Sequence, residues 1–314
     1  MKQKLSIIVP CFHSERSLPV LMEAIVAENS WLNGYDYEVI LVNDGSGLAT
    51  WEAITALAEK YPFCRGIDLS RNCGQHNAIL AGMACAMGDY IVGLDDDLQT
   101  HPSQLPLLLD KLQDGYDIVY GKFKQRHHCV SRNLSSRVSE LTARYLLDKP
   151  AELKACPMYA IRSFVRDEII RSSSAYTNLL GLFLRTSGRI ANVEIQHFDR
   201  VIGKSGYTLR KLLRLWSSYL NYSMKPLRLL LILGDAACVF AIVWMLLLAV
   251  TGVFSLNTAL PAWMLLLSGV LLMGMGLVGE YLGRMFMIVS KEPQYVVRED
   301  TGKKTREHFD SRCG

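Results

Sequence analysis

Hydrophobic and polar positions along residues 1–120 follow two alternating patterns. Short apolar runs rich in β-branched residues, typical of buried strands, alternate with stretches in which apolar residues recur every three or four positions, as in amphipathic helices. The predicted strands are residues 5–9, 37–43, 65–70, 90–94 and 117–120. The predicted helices are residues 17–28, 51–60 and 77–87. This alternation predicts an α/β domain with a mostly parallel, doubly wound sheet that binds ligands beyond the carboxyl ends of its strands.

Two long apolar stretches, residues 227–254 and 263–289, lie in the C-terminal third of the chain. A helix needs about 20 residues to cross the hydrocarbon core of a bilayer, so each stretch predicts a transmembrane helix. The short link between them carries no charge, whereas lysines and arginines flank the outer ends of both stretches. By the positive-inside rule, the link faces outward and both chain ends face the cytosol.

Two further segments, residues 122–147 and 207–226, combine basic residues with apolar residues at helical spacing. A basic amphipathic helix of this kind lies in the interface of an anionic bilayer. For residues 122–147, an ordinary solvated helix packed on the sheet explains the pattern equally well. Residues 207–226 lead directly into the first apolar stretch, which favours an interfacial helix.

Composition narrows the choice of partners and compartment. The net charge of the 314 residues is only +4, which gives no case for nucleic acid binding. The eight cysteines show no Cys-x-x-Cys pair or zinc-like spacing, so we expect reduced, structural thiols on a cytosolic face. The apolar run before Pro10 is too short for the core of a signal peptide, and we expect no export of the N-terminal domain.

Three consecutive carboxylates, Asp95, Asp96 and Asp97, follow the predicted strand 90–94. Oxygen ligands suit Mg²⁺ or Mn²⁺, and such ions combine a few carboxylates with substrate phosphates. Because side chains alternate along a strand, Asp95 and Asp97 are expected to face the same way and to form the working pair. Asp97 is the predicted ligand of a metal that bridges a nucleotide diphosphate, and Asp95 is expected to contact the ribose or the metal's water. The alternative is a charged turn.

Other candidate residues follow the neighbouring strands. Asp44-Gly45-Ser46 follows the second strand, where an acid accepts hydrogen bonds from a base or ribose, although Asp-Gly is also a common turn. The run from Arg71 to Asn77 opens a helix after the third strand, so its N–H groups and Arg71 are placed to meet an anion, whereas a lone His76 is more often structural. Residues 200–207 combine two glycines with cations, as a phosphate-binding loop or a simple linker would.

With these motifs assembled, the chain resembles the polyprenyl-phosphate glycosyltransferases of glycosyltransferase family 2 over nearly its whole length. The resemblance rests on Ile7-Ile8-Val9-Pro10, Val42 to Ser46, Ser70-Arg71-Asn72, Gly74-Gln75-His76, Ala81-Gly82, Asp95 to Gln99, Gly203 with Ser205 and Tyr207, and Gly279 to Arg284. The Arg-Asn-x-Gly-Gln-His run favours a bacterial undecaprenyl carrier over dolichol.

The resemblance implies an A-type glycosyltransferase domain in residues 1–206, a cytosolic tail in residues 290–314, and a Mg²⁺ or Mn²⁺ cofactor. It places Asp44 at the base, Asp95 and Asp97 at the ribose and metal, and Arg200 with its following loop near the phosphates, so that Asp95, Asp97 and Arg200 are the catalytic candidates. The predicted nucleotide contacts are Pro10, Asp44, Ser46, Arg71, Gln75, His76, Asp95, Asp96, Gln99, Lys204 and Ser205.

Three segments depart from the family pattern. Phe12-His13-Ser14 stands where the family usually has Tyr-Asn-Glu, and Asp96 occupies the usually small middle position of Asp-x-Asp. Before Arg162 the family usually has an acid and a glycine, whereas this chain has Cys156-Pro157-Met158-Tyr159. The pocket for the acceptor or the sugar near Arg162 is therefore expected to differ.

The sequence as a whole predicts a multi-pass enzyme of the bacterial inner membrane whose cytosolic domain transfers a sugar from a UDP-sugar to undecaprenyl phosphate. Two alternatives stay open. A processive polysaccharide synthase would carry a Gln-x-x-Arg-Trp motif, which Arg214-Leu215-Trp216 does not match. A non-catalytic scaffold that binds nucleotide sugars is the other. The sugar, the anomer and the oligomeric state, a homo-oligomer included, are not determined by the sequence.

Overall fold

The computed structural model describes residues 2–123, 144–145, 147, 149–171, 178–198 and 293–302, together with isolated helical positions between residues 264 and 289. The chain divides into two compact units. The first comprises residues 1–134, 150–208 and 293–314, and the second comprises residues 135–149 and 209–292. All described strands belong to the first unit.

The first unit alternates strands and helices along the chain. Its strands are β1 (Gln3–Cys11), β2 (Tyr35–Asn43), β3 (Cys64–Leu69), β4 (Tyr90–Gly93), β5 (Ile118–Phe123), β6 (Tyr159–Arg162), β7 (Ile190–Ile195) and β8 (Val297–Asp300). Its helices are α1 (Leu18–Ala27), α2 (Asn29–Leu32), α3 (Leu48–Lys60), α4 (Gln75–Cys85), α5 (Leu105–Gln113), α6 (Ser163–Arg171) and α7 (Leu179–Thr186). The five predicted strands correspond to β1 to β5, and the three predicted helices correspond to α1, α3 and α4.

The strands form one eight-stranded sheet in the order β7-β5-β6-β4-β1-β2-β3-β8. Strand β1 pairs in parallel with both β2 and β4, β2 with β3, and β5 with β7, whereas β6 and β8 are antiparallel to their neighbours. The prediction of a mostly parallel α/β sheet is confirmed. Strand order reverses between β1 and β4, and ligands of such sheets bind at the carboxyl edge at this point.

Close packing of α4 on the sheet fixes the position of its N-terminus. Leu5, Ile7 and Ile8 of β1 are fully buried, as expected for a strand covered on both faces. A Cβ atom on Gly82 of α4 would lie 2.5 Å from Cγ2 of Ile8, so only glycine permits this approach of helix to strand. The close contact brings the first residue of α4, Gln75, to the carboxyl edge of the sheet.

The segment after the apolar stretches returns to the sheet. Residues 297–300, predicted to belong to a separate tail, form edge strand β8 beside β3. The Arg65 guanidinium donates to both carboxylate oxygens of Asp300, at 2.9 and 2.5 Å, and the N–H of Gly66 donates to Oγ1 of Thr301 at 2.8 Å. This strand is therefore joined to β3 by side chains as well as by its backbone.

The predictions for the membrane region concern residues that are mostly outside the described ranges. Residues 207–226, 227–254 and nearly all of 263–289 lie outside the described residues. Within the described part, no helix combines the length and apolar character required to span a bilayer. Of residues 122–147, Lys122 and Phe123 belong to β5, and Arg144, Tyr145 and Leu147 are helical. The remaining residues of this segment are not described.

Candidate functional site

Four loops meet at the carboxyl edge of the sheet, after β1, β2, β3 and β4. Backbone hydrogen bonds extend the strand pairing into them: Leu94 N–H donates to the Ile8 carbonyl at 3.0 Å, and Asp44 N–H donates to the Cys11 carbonyl at 2.9 Å. Neighbouring parallel strands thus deliver their following residues to one region. The loop after β4, residues 95–99, is called the acid loop below.

The acid loop is a turn and not a continuation of β4. The strand ends at Gly93, so alternation along a strand does not set the directions of the three carboxylates, and that part of the prediction is wrong. Leu98 has a left-handed backbone with φ 61, while its side chain is buried. Across this turn, Oδ1 of Asp97 accepts the N–H of Gln99 at 3.1 Å.

Asp95 is oriented by α4. The Gln75 side-chain amide donates to Oδ1 of Asp95 at 2.8 Å, which joins the start of the helix to the acid loop. Two residues predicted separately from the sequence are thus direct partners. Because α4 packs closely against β1, the backbone of Gln75 has a defined position. Its side-chain amide therefore orients the Asp95 carboxylate.

The carboxylate of Asp96 turns toward the loop after β1. It accepts a hydrogen bond from the Ser14 hydroxyl, which in turn accepts the N–H of Phe12 at 2.8 Å. Burial raises the pKa of Asp96, while the hydrogen bond from Ser14 opposes that rise. The structure therefore gives Asp96 a protein partner on the neighbouring loop, distinct from the partners of Asp95 and Asp97.

Asp44 holds the loop after β3. Its buried carboxylate accepts the N–H of Cys73 at 2.7 Å and the N–H of Gly74 at 3.0 Å. The sequence predicted that these N–H groups would meet an anion, and Asp44 is one such anion. Burial raises the pKa of Asp44, and the two backbone hydrogen bonds oppose the rise.

A polar network beneath these loops was missed by the sequence analysis. Ser46 donates through its hydroxyl to Oδ1 of Asn43 at 2.6 Å, and Asn43 donates through Nδ2 to Oδ1 of Asp68 at 2.7 Å. Asp68 is buried although it belongs to β3, and burial raises its pKa. The signal for this network was an aspartate among the buried residues at the carboxyl end of β3.

The remaining predicted residues occupy different positions around the same edge. Pro10 is buried within β1, Gln99 is half-buried, and Arg71 and His76 are exposed. Arg200, Lys204 and Ser205 lie outside the described residues. Phe198 lies beside the acid loop, because its N–H donates to the Gln99 carbonyl at 3.1 Å.

The segment before Arg162 lies next to β4. Tyr159 packs its ring over Gly93, where a Cβ atom would lie 2.2 Å from the ring, and its buried hydroxyl has no partner among the described residues. Arg162 donates to the carbonyls of Leu112 and Tyr116, at 2.6 and 3.1 Å. Arg162 thus supports the end of α5, a role that the sequence did not suggest.

The acid loop has the ligand chemistry of a hard divalent cation. Asp95 and Asp97 are half-buried oxygen donors, and each is already directed by a neighbouring N–H group, as ligating carboxylates commonly are. Across the described ranges, no group of three or more histidine, cysteine, aspartate or glutamate residues is arranged to hold a metal. Two carboxylates are the kind of ligand that Mg²⁺ combines with phosphate and water.

The fold is shared with a solved enzyme. Glucosyl-3-phosphoglycerate synthase from Mycobacterium tuberculosis, in complex with UDP, matches 70% of this chain and 80% of its own, with a TM-score of 0.51 and 16% identity. Its complex with Mn²⁺, UDP-glucose and phosphoglyceric acid matches 70% and 79% of the two chains, with a TM-score of 0.51 and 15% identity. At this identity the likeness shows the fold, which is the A-type glycosyltransferase fold predicted from the sequence.

Sequence similarity extends along nearly the whole chain. Undecaprenyl-phosphate 4-deoxy-4-formamido-L-arabinose transferase from Serratia proteamaculans (strain 568) is 30% identical over 315 residues, covering 96% of this chain and 95% of the relative. The transferase of the same name from Yersinia enterocolitica is 31% identical over 319 residues, covering 98% and 96%. Residues 6–167 match the model of Glycosyl transferase family 2. The chain therefore belongs to glycosyltransferase family 2.

Proposed function

We propose that this protein transfers a sugar from a UDP-sugar to undecaprenyl phosphate, with Mg²⁺ or Mn²⁺ as its cofactor, at the cytosolic face of a bacterial inner membrane. The observation that carries the proposal is the placement of Asp95 and Asp97 at the reversal point of the sheet, each directed by a neighbouring N–H group. The lipid acceptor is supported by the name shared by relatives that align along almost the entire chain.

The reaction is a displacement at the anomeric carbon. An oxygen of the lipid phosphate forms a bond to that carbon while the bond from the carbon to the UDP oxygen breaks, and its electron pair leaves with UDP. A phosphate monoester is largely ionised at pH 7, since its second pKa is about 6, so the nucleophile needs no strong general base. The chain's main tasks are then to align the two reactants and to stabilise the departing diphosphate.

The described residues supply the alignment. Asp95 and Asp97 would hold the cation, which when bound supplies positive charge to the leaving diphosphate. Gln75 keeps Asp95 directed at the edge of the sheet, and Asp44 keeps the loop of Cys73 and Gly74 beside the nucleotide. Arg200, with Lys204 and Ser205, is proposed to add further positive charge and hydrogen-bond donors at the phosphates.

Membrane attachment is proposed from the sequence of the second unit. Residues 227–254 and 263–289 each exceed the length that a transmembrane helix needs, and the basic segment 207–226 precedes them. A lipid acceptor requires that the donor site work close to a bilayer surface. An anionic lipid head next to a basic interfacial helix meets that requirement.

The test is sugar transfer by the purified full-length protein in detergent. A panel of UDP-sugars is incubated with undecaprenyl phosphate and Mn²⁺, and UDP release is measured with and without the lipid. We expect lipid-dependent UDP release with at least one donor, and a loss of about a hundredfold or more in Asp97→Ala. Asp114→Ala removes an exposed carboxylate at the end of α5 and serves as the matched control.

Two results would contradict the proposal. Lipid-dependent UDP release that survives Asp97→Ala at the wild-type rate would remove the assigned role of the acid loop. Absence of release with every UDP-sugar, from protein that binds UDP, would favour a non-catalytic scaffold.

A further inference from the structure

Ser14 and Asp96 join two loops at the reversal point of the sheet. Ser14 follows β1 and Asp96 follows β4, and these neighbouring parallel strands direct both residues to the carboxyl edge. The Ser14 hydroxyl donates to Oδ2 of Asp96 and accepts the N–H of Phe12. Eighty-two positions separate the two residues along the chain, so this contact connects parts that no local pattern relates.

The backbone on both sides of this contact adopts a conformation that L-residues rarely take. His13, beside Ser14, has φ 57, and Leu98, two residues after Asp96, has φ 61. A non-glycine residue is strained in this region and persists there only where its surroundings impose the conformation. Leu98 is held by burial of its side chain, and the Ser14 carbonyl is held by the N–H groups of Ser17 and Leu18 at the start of α1.

The contact occupies the position between the two proposed metal ligands. Asp95 and Asp97 flank Asp96 in the chain. Asp95 accepts a hydrogen bond from Gln75 and Asp97 accepts one from Gln99, whereas Asp96 accepts one from Ser14 on the loop after β1. A side-chain hydrogen bond at the middle residue restricts the positions that the loop around it can take. The directions of the two flanking carboxylates therefore depend on what residue 96 binds.

We propose that Asp96 is a positioning residue, which through Ser14 fastens the acid loop to the loop after β1 and thereby sets the geometry of Asp95 and Asp97 toward the cation. This inference rests on the proposed function for the role of the two flanking carboxylates. It assigns to Asp96 a bond within the protein in place of a direct contact with the nucleotide.

The two partners are also two positions at which this chain departs from the family pattern. A serine stands at position 14, where the pattern has the glutamate of Tyr-Asn-Glu, and an aspartate stands at position 96, where the pattern has a small residue. The structure brings both departures into one contact. In this chain the loop after β4 supplies the carboxylate of the pair and the loop after β1 supplies the hydroxyl.

Moving the carboxylate from position 96 to position 14 tests the proposal. Mn²⁺ binding in the presence of UDP is measured by electron paramagnetic resonance. We expect Asp96→Ala to raise the Mn²⁺ dissociation constant about tenfold, as loss of an orienting partner of metal ligands does. The double variant Ser14→Glu with Asp96→Ala returns the carboxylate from the other loop, and we expect binding within about threefold of wild type. Asp114→Ala is the unaffected control.

Asp96→Asn separates positioning from direct ligation. The amide keeps an oxygen that accepts from Ser14 but has no charge, so the contact survives and we expect Mn²⁺ affinity within about threefold of wild type. A loss as large as that of Asp96→Ala would overturn the proposal, because it would indicate that the charge itself acts on the ligand. Unchanged binding in Asp96→Ala, or a double variant as weak as that single variant, would also overturn it.

Melting temperatures test the contact between Ser14 and Asp96 without depending on sugar transfer. We expect Ser14→Ala and Asp96→Ala to lower the melting temperature less in combination than the sum of the two single effects, as residues in contact do. Additive changes in melting temperature would overturn the proposed coupling between Ser14 and Asp96. Coupled melting and rescued Mn²⁺ binding in a protein that transfers no sugar would sustain the positioning role while the transferase assignment fails.

Discussion

The guanidinium of Arg298 donates a hydrogen bond to the carbonyl oxygen of Ser70 at 2.8 Å. The N–H of Ser70 donates to the carbonyl of Val296 at 2.9 Å, and Nη1 of Arg298 lies 3.5 Å from Oδ2 of Asp68. Ser70 is the residue from which the loop of Cys73 and Gly74 starts. Strand β8 therefore holds the base of a loop that we assign to the nucleotide.

We expect Arg298→Ala to raise the KM for the UDP-sugar about fivefold with little change in kcat. The loss corresponds to roughly 1 kcal/mol, the typical net contribution of one hydrogen bond, because Arg298 is more than half exposed and its ion pair is screened. Steady-state kinetics with varied donor measure the effect. Arg171→Ala removes a comparably exposed arginine of α6 and is the control, and an unaltered donor KM in Arg298→Ala would refute this link.

Gly45 and Gly47 offer a matched pair of substitutions. Both have positive φ, 61 and 102, but a Cβ atom on Gly45 would lie 2.3 Å from the carbonyl carbon of Arg71, whereas nothing lies within 4 Å of one on Gly47. Gly47→Ala should cost only its backbone strain, about 1 kcal/mol. Gly45→Ala must also separate the loops after β2 and β3, so we expect a larger loss of melting temperature and weaker UDP binding. Equal effects of the two substitutions would be evidence against the close approach.

Asp44 predicts a pH dependence of donor affinity. Burial raises the pKa of its carboxyl, so the folded protein takes up this proton at a higher pH than a free aspartate does. Protonation removes acceptor capacity from the N–H groups of Cys73 and Gly74 and loosens that loop. We expect UDP-sugar affinity to fall as the pH is lowered from neutral across the interval above the ordinary pKa of a free aspartate.

The control for this prediction is Asp44→Asn, which cannot ionise at position 44. Its affinity should be lower than that of wild type at neutral pH and nearly constant over the same interval. The comparison uses a UDP-sugar because its diphosphate is a diester without the titrating terminal phosphate of UDP. Identical pH profiles in the two proteins would mean that Asp44 is not the titrating group.

Cys73 provides a chemical probe of the same loop. Its side chain is half-buried, whereas burial raises the pKa of Cys64 to about 12 and of Cys85 to about 11. The thiolate attacks iodoacetamide and displaces iodide, so we expect Cys73 to react about tenfold faster than Cys64 or Cys85 in the folded protein. Mass spectrometry of peptides measures each rate. If the nucleotide covers this loop, saturating UDP-sugar slows the modification of Cys73 alone among the three, and unslowed modification would place the nucleotide elsewhere.

The sequence predicted those parts of the fold that local patterns encode. Strands β1 to β5 are apolar runs bounded by polar residues, and each was found within a few positions of its observed bounds. Strand β6 has only four residues, β7 is half exposed along most of its length, and β8 follows a long apolar region, so none of them carries a comparable signal.

The candidate site also contains features that local sequence patterns predict and features that they do not. Asp44, Gln75 and Asp95 lie at one edge of the sheet, where the sequence pattern of polar residues after buried strands predicted them, and their contacts with a nucleotide or metal stay predictions. The bonds from Ser14 to Asp96 and from Asn43 to Asp68 were not predicted, since they join residues 82 and 25 positions apart. Such pairs depend on the order of strands in the sheet, which no window of sequence contains.

Strand β8 also restricts the path of the chain through a bilayer. Residues up to 198 and residues from 293 belong to one folded unit, so both lie in the same aqueous compartment. Any route between them must cross a membrane an even number of times. Under the proposed membrane attachment, in which each of the two apolar stretches crosses once, deleting only one of them would make the number of crossings odd. Residues 297–300 would then lie in the opposite compartment, and β3 would be left with an uncovered edge.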